Sequence, residues 1–182
     1  CLHWADCYGN HMLNATRYVA DAALIDQIES DLTELQRKYP GGFLVRLHVL
    51  GDFYSVEYVA QWARWLGMFP ALHVYGYTAN QPDATNNKER AIGQAVLGLR
   101  LACDGRFAIR FSGSKTTDNA ALSYDDADAR QLVADKRAFV CPTQISKHTG
   151  QLAKKGEPTR AASCGACAAC WQSNKPVVFH TH

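Results

Sequence analysis

The sequence lacks three features that would place the protein in a specialised class. No apolar run approaches the roughly 20 residues of a membrane-spanning helix, so we expect no membrane association. The net charge is only +2 over 182 residues, so no strong field by itself implies nucleic acid. A secretory signal is missing, and the chain opens on Cys1 rather than Met, which leaves both a processed chain and a fragment open. With 47% hydrophobic and 20% charged residues, the composition is typical of one globular domain over residues 1–182.

The sequence also lacks the even, regularly spread cysteines of a disulfide scaffold. Its seven cysteines are an odd number, with two at the front, two scattered, and three close together near the end. Small secreted disulfide proteins are usually shorter and poorer in regular structure. We therefore expect a reducing, cytoplasmic location, in which the thiols remain available for metal.

Three of the cysteines follow one another at steps of three in "SCGACAACWQ", residues 163–172: Cys164, Cys167 and Cys170. Steps this short cannot form good disulfides with one another, because the closed loop strains the bridge. The spacing resembles the Cys-x2-Cys-x2-Cys run that holds an iron–sulfur cluster. Segment 163–171 is therefore predicted to bind metal. A 4Fe-4S cluster is favoured over zinc, because structural zinc usually takes two knuckles set apart by a longer stretch.

A fourth ligand has to come from elsewhere in the chain. Cys7 is the best candidate, because it precedes a long predicted helix whose N-terminus favours a thiolate. Cys1 lies six residues earlier and is a possible additional ligand. Cys141 ends a predicted strand and is a weaker candidate, whereas Cys103 follows a helix and reads as an inert packed thiol. A site built on Cys7 would join the two ends of the chain.

Strand and helix patterns alternate along the chain. Apolar steps of three and four predict helices from Ile25 to Tyr39, from the capping residue Ser55 to about Pro70, and over 86–101. The strands are predicted over 43–50, 71–79, 106–114, 138–142 and 175–182. This order is typical of parallel βαβ units. Five strands are too few for an eight-stranded barrel, so we predict an α/β fold with a partial, open β/α barrel or a mostly parallel sheet.

Period-two alternation sorts the side chains of the strands onto two faces, one apolar and one polar. If the polar faces converge, they form a wet concave surface for a small anionic or nucleotide-like ligand; the alternative is a face exposed to solvent. The carboxyl ends of the strands add a rim of Asp52, Thr78, Asn80, Ser112 and Ser114. The polar basic segment 143–162 is predicted to be a loop. The candidate ligand-binding residues are Arg46, His48, Asp52, Tyr75, Tyr77, Arg110 and Ser112.

Several stretches resemble a known family. They are "CYG" (7–9), "LHVLGDFYSVEYVAQW" (47–62), "YGYTAN" (75–80), "VCPTQ" (140–144) and "CGACAACW" (164–171). In this order they resemble the phage- and plasmid-borne proteins called gene product eighty-eight-like, whose reaction is not established. That family looks distantly similar to radical S-adenosylmethionine enzymes. The resemblance implies a partial β/α barrel, a cysteine-bound cluster and S-adenosylmethionine as a possible cofactor.

Two classes of function follow from these patterns. The first is a cluster enzyme that acts on a small anionic or nucleotide-like substrate. The second is a non-catalytic module, in which a metal staples the chain and the polar face binds nucleic acid or a protein partner. The number of cysteine ligands separates them, because three leave an iron open for catalysis and four close the centre.

Overall fold

The structure, a computed structural model, describes most of the chain after its first residues. The described residues are Asn14, Thr16, Ala153 and the ranges 18–103, 105–113, 118–123, 126–150 and 157–179. The predictions for Cys1, Cys7 and Ser114 lie outside the described residues. None of the helices in these ranges is long and apolar enough to cross a membrane.

The fold is α/β, with a parallel sheet that stays open. In chain order the elements are α1 (Ala22–Lys38), β1 (Phe43–Leu47), α2 (Val56–Met68), β2 (Leu72–Thr78), α3 (Asn87–Ala102), β3 (Phe107–Ser112), β4 (Ala120–Ser123), α4 (Ala127–Ala134), β5 (Phe139–Val140), α5 (Cys164–Cys167), α6 (Ala169–Gln172) and β6 (Val177–Phe179). The strand order is β1-β2-β3-β4-β6-β5, and every neighbouring pair is parallel. The sequence prediction of an open, parallel α/β sheet is confirmed.

The sequence prediction missed four short elements: β4, α4, α5 and α6. Strand β4 is only "AALS", which has no β-branched or aromatic residue and therefore no strand signal. Helix α4 has eight residues and begins at a cap in which Asp126 accepts the N–H of Asp128 at 2.9 Å. An eight-residue helix gives too short an apolar pattern to recognise. The described part of the predicted loop 143–162 contains a 3-10 turn and one antiparallel bridge between Ser146 and Thr159.

Helices α1, α2 and α3 cover one face of β1, β2 and β3 with a core of large side chains. Trp62 and Trp65 on α2 are 1% and 0% exposed, and they pack with Phe107 from β3. The serine cap expected at the start of α2 is present, since Ser55 Oγ accepts the N–H of Tyr58 at 3.2 Å. Trp65 also donates its indole N–H to Glu29 on α1 at 2.9 Å, which ties the two helices together.

A second, smaller core lies at the other end of the same sheet face. It joins α4 to β4 and β6 and consists of small or medium residues: Ala120, Leu122, Ala129, Leu132, Ala138 and Val178. The strands on this side have four, two and three residues, so few backbone hydrogen bonds hold them. This half of the sheet therefore depends on contacts from its other face.

Gly76 on β2 marks the closest approach inside the sheet. A Cβ atom built there would lie 1.6 Å from the carbonyl oxygen of Leu47, its register partner on β1. Only glycine fits this position, because the clash would be with backbone that cannot move away.

Candidate thiol-rich site

The polar side chains of the central strands share the sheet face opposite the helices. The register pairs Arg46 with Tyr75, and Tyr77 with Arg110. Ser112 follows on the same face, paired with Ala121 on β4. Phe139 and Phe179 belong to this face as well, because their register partners continue the same alternation to β5 and β6.

His48 leaves this face, although strand alternation would place it beside Arg46. Strand β1 ends at Leu47, and the His48 ring packs against Phe53 and Tyr58, at centroid distances of 4.7 and 5.8 Å. Both residues belong to the core under the helices. Both ring nitrogens of His48 are buried without a hydrogen-bond partner. Burial lowers the pKa of His48 to about 4, although the nearby Asp52 opposes the shift.

Arg110 holds a segment of the chain and does not face solvent. It is 0% exposed, and its guanidinium donates to four carbonyl oxygens. Nε donates to Cys170 at 3.0 Å, Nη1 to Lys175 at 2.8 Å, and Nη2 to Ser173 at 2.6 Å and Ala169 at 3.3 Å. The side chain therefore fixes the turn between α6 and β6 against the middle of the sheet.

No carboxylate among the described residues forms an ion pair with the buried charge of Arg110. Arg64 pairs with Glu29, but this pair lies on the helix side of the sheet. Burial lowers the pKa of Arg110, and the groups that oppose this shift are Cys170 and Tyr77. A second cation lies near, since burial and the charge of Arg110 lower the pKa of Arg100 to about 10.

Four cysteines line one small cavity on this face. Its volume is about 20 Å³, and its other lining residues include Phe139, Pro142, Thr143 and Trp171. The cysteines are Cys141, from the end of β5, and Cys164, Cys167 and Cys170, from α5 and α6. All four are free thiols.

The local backbone places three of these cysteines on two consecutive helical turns. Ser163 caps α5 by accepting the N–H of Ala166 at 3.2 Å. Ala168 then adopts the left-handed conformation, with φ +54°, and separates α5 from α6. Trp171 anchors α6 to the sheet by packing on Tyr75, with ring centroids 4.7 Å apart.

Tyrosines of β2 lie directly beneath the thiols. The hydroxyl of Tyr77 is 3.2 Å from the Cys170 sulfur. Burial raises the pKa of Cys170, while Tyr77 and the charge of Arg110 oppose the shift. Burial and the neighbouring Cys170 also raise the pKa of Tyr77. The pKa of Tyr75 is raised to about 12, first by burial and then by hydrogen bonding to Cys164.

The thiols of this site are near one another without forming a closed ligand sphere. Within the described ranges, no group of three His, Cys, Asp or Glu side chains is arranged to hold a metal ion. Cys103 is separate from the cavity, half-buried, and packs against the large core. From the sequence alone, Cys141 is a weaker candidate for the fourth ligand than Cys7. The available signal was its position at the carboxyl end of a parallel strand, where functional groups gather in such sheets.

The rim residues form a separate hydrogen-bonded group at the ends of β1 and β2. The Asp52 carboxylate accepts from the Phe53 N–H, the Thr78 hydroxyl and the Ala79 N–H, each at 2.7 Å. Asn80 donates its amide to the Phe53 carbonyl oxygen at 3.0 Å. A cavity of about 490 Å³ opens beside this group. The structure thus divides the predicted site between the thiol cavity and this rim.

Fold and site together define an open parallel α/β protein with a cysteine-rich segment on the sheet face that the helices leave free. The chain belongs to the Gene product 88 family, whose model matches residues 3–173. It is similar to the Gene 88 protein of Mycobacterium phage D29, at 25% identity over 158 residues, and to that of Mycobacterium phage L5, at 27% over 146.

These alignments cover 87% and 80% of this chain, but only 63% and 57% of the two phage proteins. The chain thus spans about three fifths of the length of these relatives. No solved structure matches the chain. The comparisons give no support to a similarity with radical S-adenosylmethionine enzymes.

Proposed function

We propose that the protein binds a metal through the thiolates of Cys141, Cys164, Cys167 and Cys170, and that this centre secures the β4–β6 half of the fold. The observation that carries the proposal is the fully buried cation of Arg110 directly below these cysteines. The four backbone hydrogen bonds of its guanidinium go to neutral carbonyl oxygens, and no Asp or Glu among the described residues forms an ion pair with it, so no described carboxylate compensates its charge.

The charge balance supports a metal–thiolate centre. A buried charge without a counter-charge costs several kcal/mol, so such charges are normally paired. A thiol that coordinates a metal is deprotonated, and four thiolates outweigh the charge of one divalent ion. The resulting net negative centre would neutralise Arg110, and a second, partly buried cation, Arg100, lies close to Arg110.

Two metal centres fit different features of the site. The Cys-x2-Cys-x2-Cys spacing favours an iron–sulfur cluster. Four cysteines around one small cavity also make up the number of ligands that a tetrahedral zinc ion takes, and either centre would require the thiol side chains to rearrange. In either case four thiols close the coordination sphere. The proposal is therefore a structural or electron-transfer centre, the non-catalytic alternative of the two classes, rather than an open iron that binds a substrate.

The fourth ligand distinguishes this proposal from the sequence prediction. Cys7 stays a prediction, because it lies outside the described residues. Cys141 lines the same cavity as the other three cysteines and interacts electrostatically with Cys170. Its use as a ligand would tie the short edge strand β5 to α5 and α6.

The test is the metal and sulfide content of the chain purified without oxygen, together with its visible spectrum. Wild type should hold one zinc or one iron–sulfur cluster per chain. Cys141→Ser and Cys170→Ser should lose most of it. Cys103→Ser is the matched control and should retain it, because Cys103 packs in the other core.

Two results would count against the proposal. Wild type without metal after anaerobic purification would remove it altogether. Full metal content in Cys141→Ser, together with loss of metal in Cys7→Ser, would identify Cys7 as the fourth ligand, as the sequence predicts.

A further inference from the structure

We infer that the cavity at the carboxyl ends of β1 and β2 binds an uncharged nucleoside, which it recognises through fixed hydrogen-bond acceptors and an aromatic surface. The cavity has a volume of about 490 Å³, within the roughly 300–1,000 Å³ that is usual for small-molecule sites. Parallel α/β sheets bind their ligands at this edge. The inference does not depend on the metal centre, since none of the described cysteines lines this cavity.

The first fixed acceptor is Asp52. Three hydrogen bonds of 2.7 Å hold its carboxylate, two on Oδ1 and one on Oδ2. A carboxylate oxygen offers about two acceptor positions, so Oδ2 keeps one for a ligand. A carboxylate this firmly oriented is suited to accept hydrogen bonds from the hydroxyls of a ribose, as an acidic side chain does in other α/β nucleotide sites.

The second fixed acceptor is Asn80, which is 8% exposed and lines the same cavity. Its amide nitrogen donates to the Phe53 carbonyl oxygen at 3.0 Å and to the Thr78 hydroxyl at 3.2 Å. These bonds orient the amide and use both of its donors, which leaves the Oδ1 atom as an acceptor. The exocyclic amino group of adenine is a donor of the matching kind.

An aromatic surface stands at the mouth of the cavity. Tyr54 stacks on Tyr58 with ring centroids 4.6 Å apart and an interplanar angle of 18°. Tyr58 is buried, whereas Tyr54 is 41% exposed, so one side of its ring faces outward. Stacking of a nucleobase on an aromatic side chain stabilises binding, whichever base it is.

The same cavity disfavours a phosphate, in contrast to the anionic ligand expected from sequence. It adjoins the N-terminus of α3, but Asn86 Oδ1 already accepts the N–H groups of Lys88 and Glu89, at 2.9 and 3.1 Å. Among the described residues of the lining, Lys88 is the single cation, and it is outnumbered by Asp52 and Glu89. A nucleoside therefore fits these groups better than a nucleotide does.

The test is equilibrium binding of adenosine, AMP and 2′-deoxyadenosine to the full chain by calorimetry. Adenosine should bind saturably, and AMP should bind no more tightly. Loss of the 2′-hydroxyl should weaken binding roughly tenfold or more, the usual effect of losing a hydrogen bond to a charged group. No saturable binding of adenosine at millimolar concentration, or tighter binding of AMP, would overturn the inference.

Substitutions test whether adenosine binds in this cavity. Tyr54→Ala should weaken adenosine binding about tenfold, in line with the loss of one stacking contact. Tyr39→Ala is the matched control, with the same residue type at 44% exposure on a different surface, and should bind as wild type does. Asp52→Asn should abolish the preference for adenosine over 2′-deoxyadenosine. If that variant fails to fold, Tyr54→Ala and the ligand series still decide; equal affinities of Tyr54→Ala and wild type would overturn the proposed site.

Discussion

The two halves of the sheet are held together by different interactions. Around β1, β2 and β3, large aromatic and aliphatic side chains from α1, α2 and α3 fill the core. Around β4, β5 and β6, the core consists mainly of alanine, leucine and valine, and the strands are very short. On its other face this second half is held by Arg110, which binds four backbone carbonyl groups.

The difference shows how a fold can combine a self-sufficient part with a dependent one. Apolar burial stabilises by roughly 25 cal/mol per Å², so the aromatic half gains its stability without any added group. The small-residue half buries less apolar area and instead concentrates polar contacts on one buried cation. Such a region gains directly from a bound metal, because a ligand that binds only the native state stabilises it.

The largest effect is expected from the aromatic half. Trp65→Ala removes a fully buried indole and its hydrogen bond to Glu29, and should cost about 3–5 kcal/mol of global stability. Chemical denaturation followed by far-UV circular dichroism measures it. Leu101→Ala is the control, because Leu101 is 76% exposed, and it should change the stability little. A loss confined to residues 163–179 would contradict the comparison.

Arg110→Met should loosen the other half. It removes the donors to four carbonyl groups, with an expected local cost of about 3 kcal/mol. Hydrogen exchange should accelerate at residues 169–179 and stay slow in α2 and β2. Arg106→Met provides the counterpart, because Arg106 donates to the Leu66 carbonyl at the end of α2, at 3.0 Å. Its effect should appear in α2, and equal loosening of both halves by Arg110→Met would show that they are one cooperative unit.

Acid should act on the aromatic half through His48. Its pKa is about 4 in the folded protein, against about 6.5 when exposed, so the unfolded state binds the proton more readily between these values. The free energy of unfolding therefore keeps its full value above pH 6.5. It decreases as the pH falls to 4, and the contribution of His48 to this decrease is about 3 kcal/mol at most.

Urea denaturation at pH 7, 5.5 and 4 measures this contribution. His48→Phe should reduce the decrease in stability, because the new ring suits the packing with Phe53 and Tyr58 and carries no titrating group. His73→Phe should retain the decrease, because His48 is intact. An identical pH profile for His48→Phe and wild type would assign the acid sensitivity to other groups.

The smallest effects come from two serine caps of the same geometry. Ser55 and Ser163 each accept a backbone N–H three residues ahead, both at 3.2 Å. Ser55→Ala should lower global stability by about 1 kcal/mol, the usual loss for a helix cap. Ser163→Ala should leave the global transition almost unchanged and increase exchange at residues 164–170. Reversed effects in thermal melts and hydrogen exchange would mean that the thiol segment, rather than the aromatic core, limits stability.

The sequence by itself determined the features that depend on local periodicity. Alternation along β1, β2 and β3 predicted which side chains share a face. Apolar spacing predicted the extent of α1, and Ser55 and Pro70 marked the two ends of α2. These patterns are reliable because burial on one face of a long element repeats every two or 3.6 residues. The step of three between Cys164, Cys167 and Cys170 is likewise visible without any structure.

Only the tertiary structure decided what meets across the sheet. Strand β4 is too short and too poor in β-branched residues to be recognised, and the position of β6 between β4 and β5 follows from packing. Alternation placed Arg110 on a polar face, but its partners are carbonyl groups some 60 residues later in the chain, at 170, 173 and 175. His48 turned to the helix side because β1 ends one residue before it. The position of Cys141 beside the other three cysteines could not be predicted either, because such contacts depend on the direction of the chain and on long-range packing rather than on neighbouring residues.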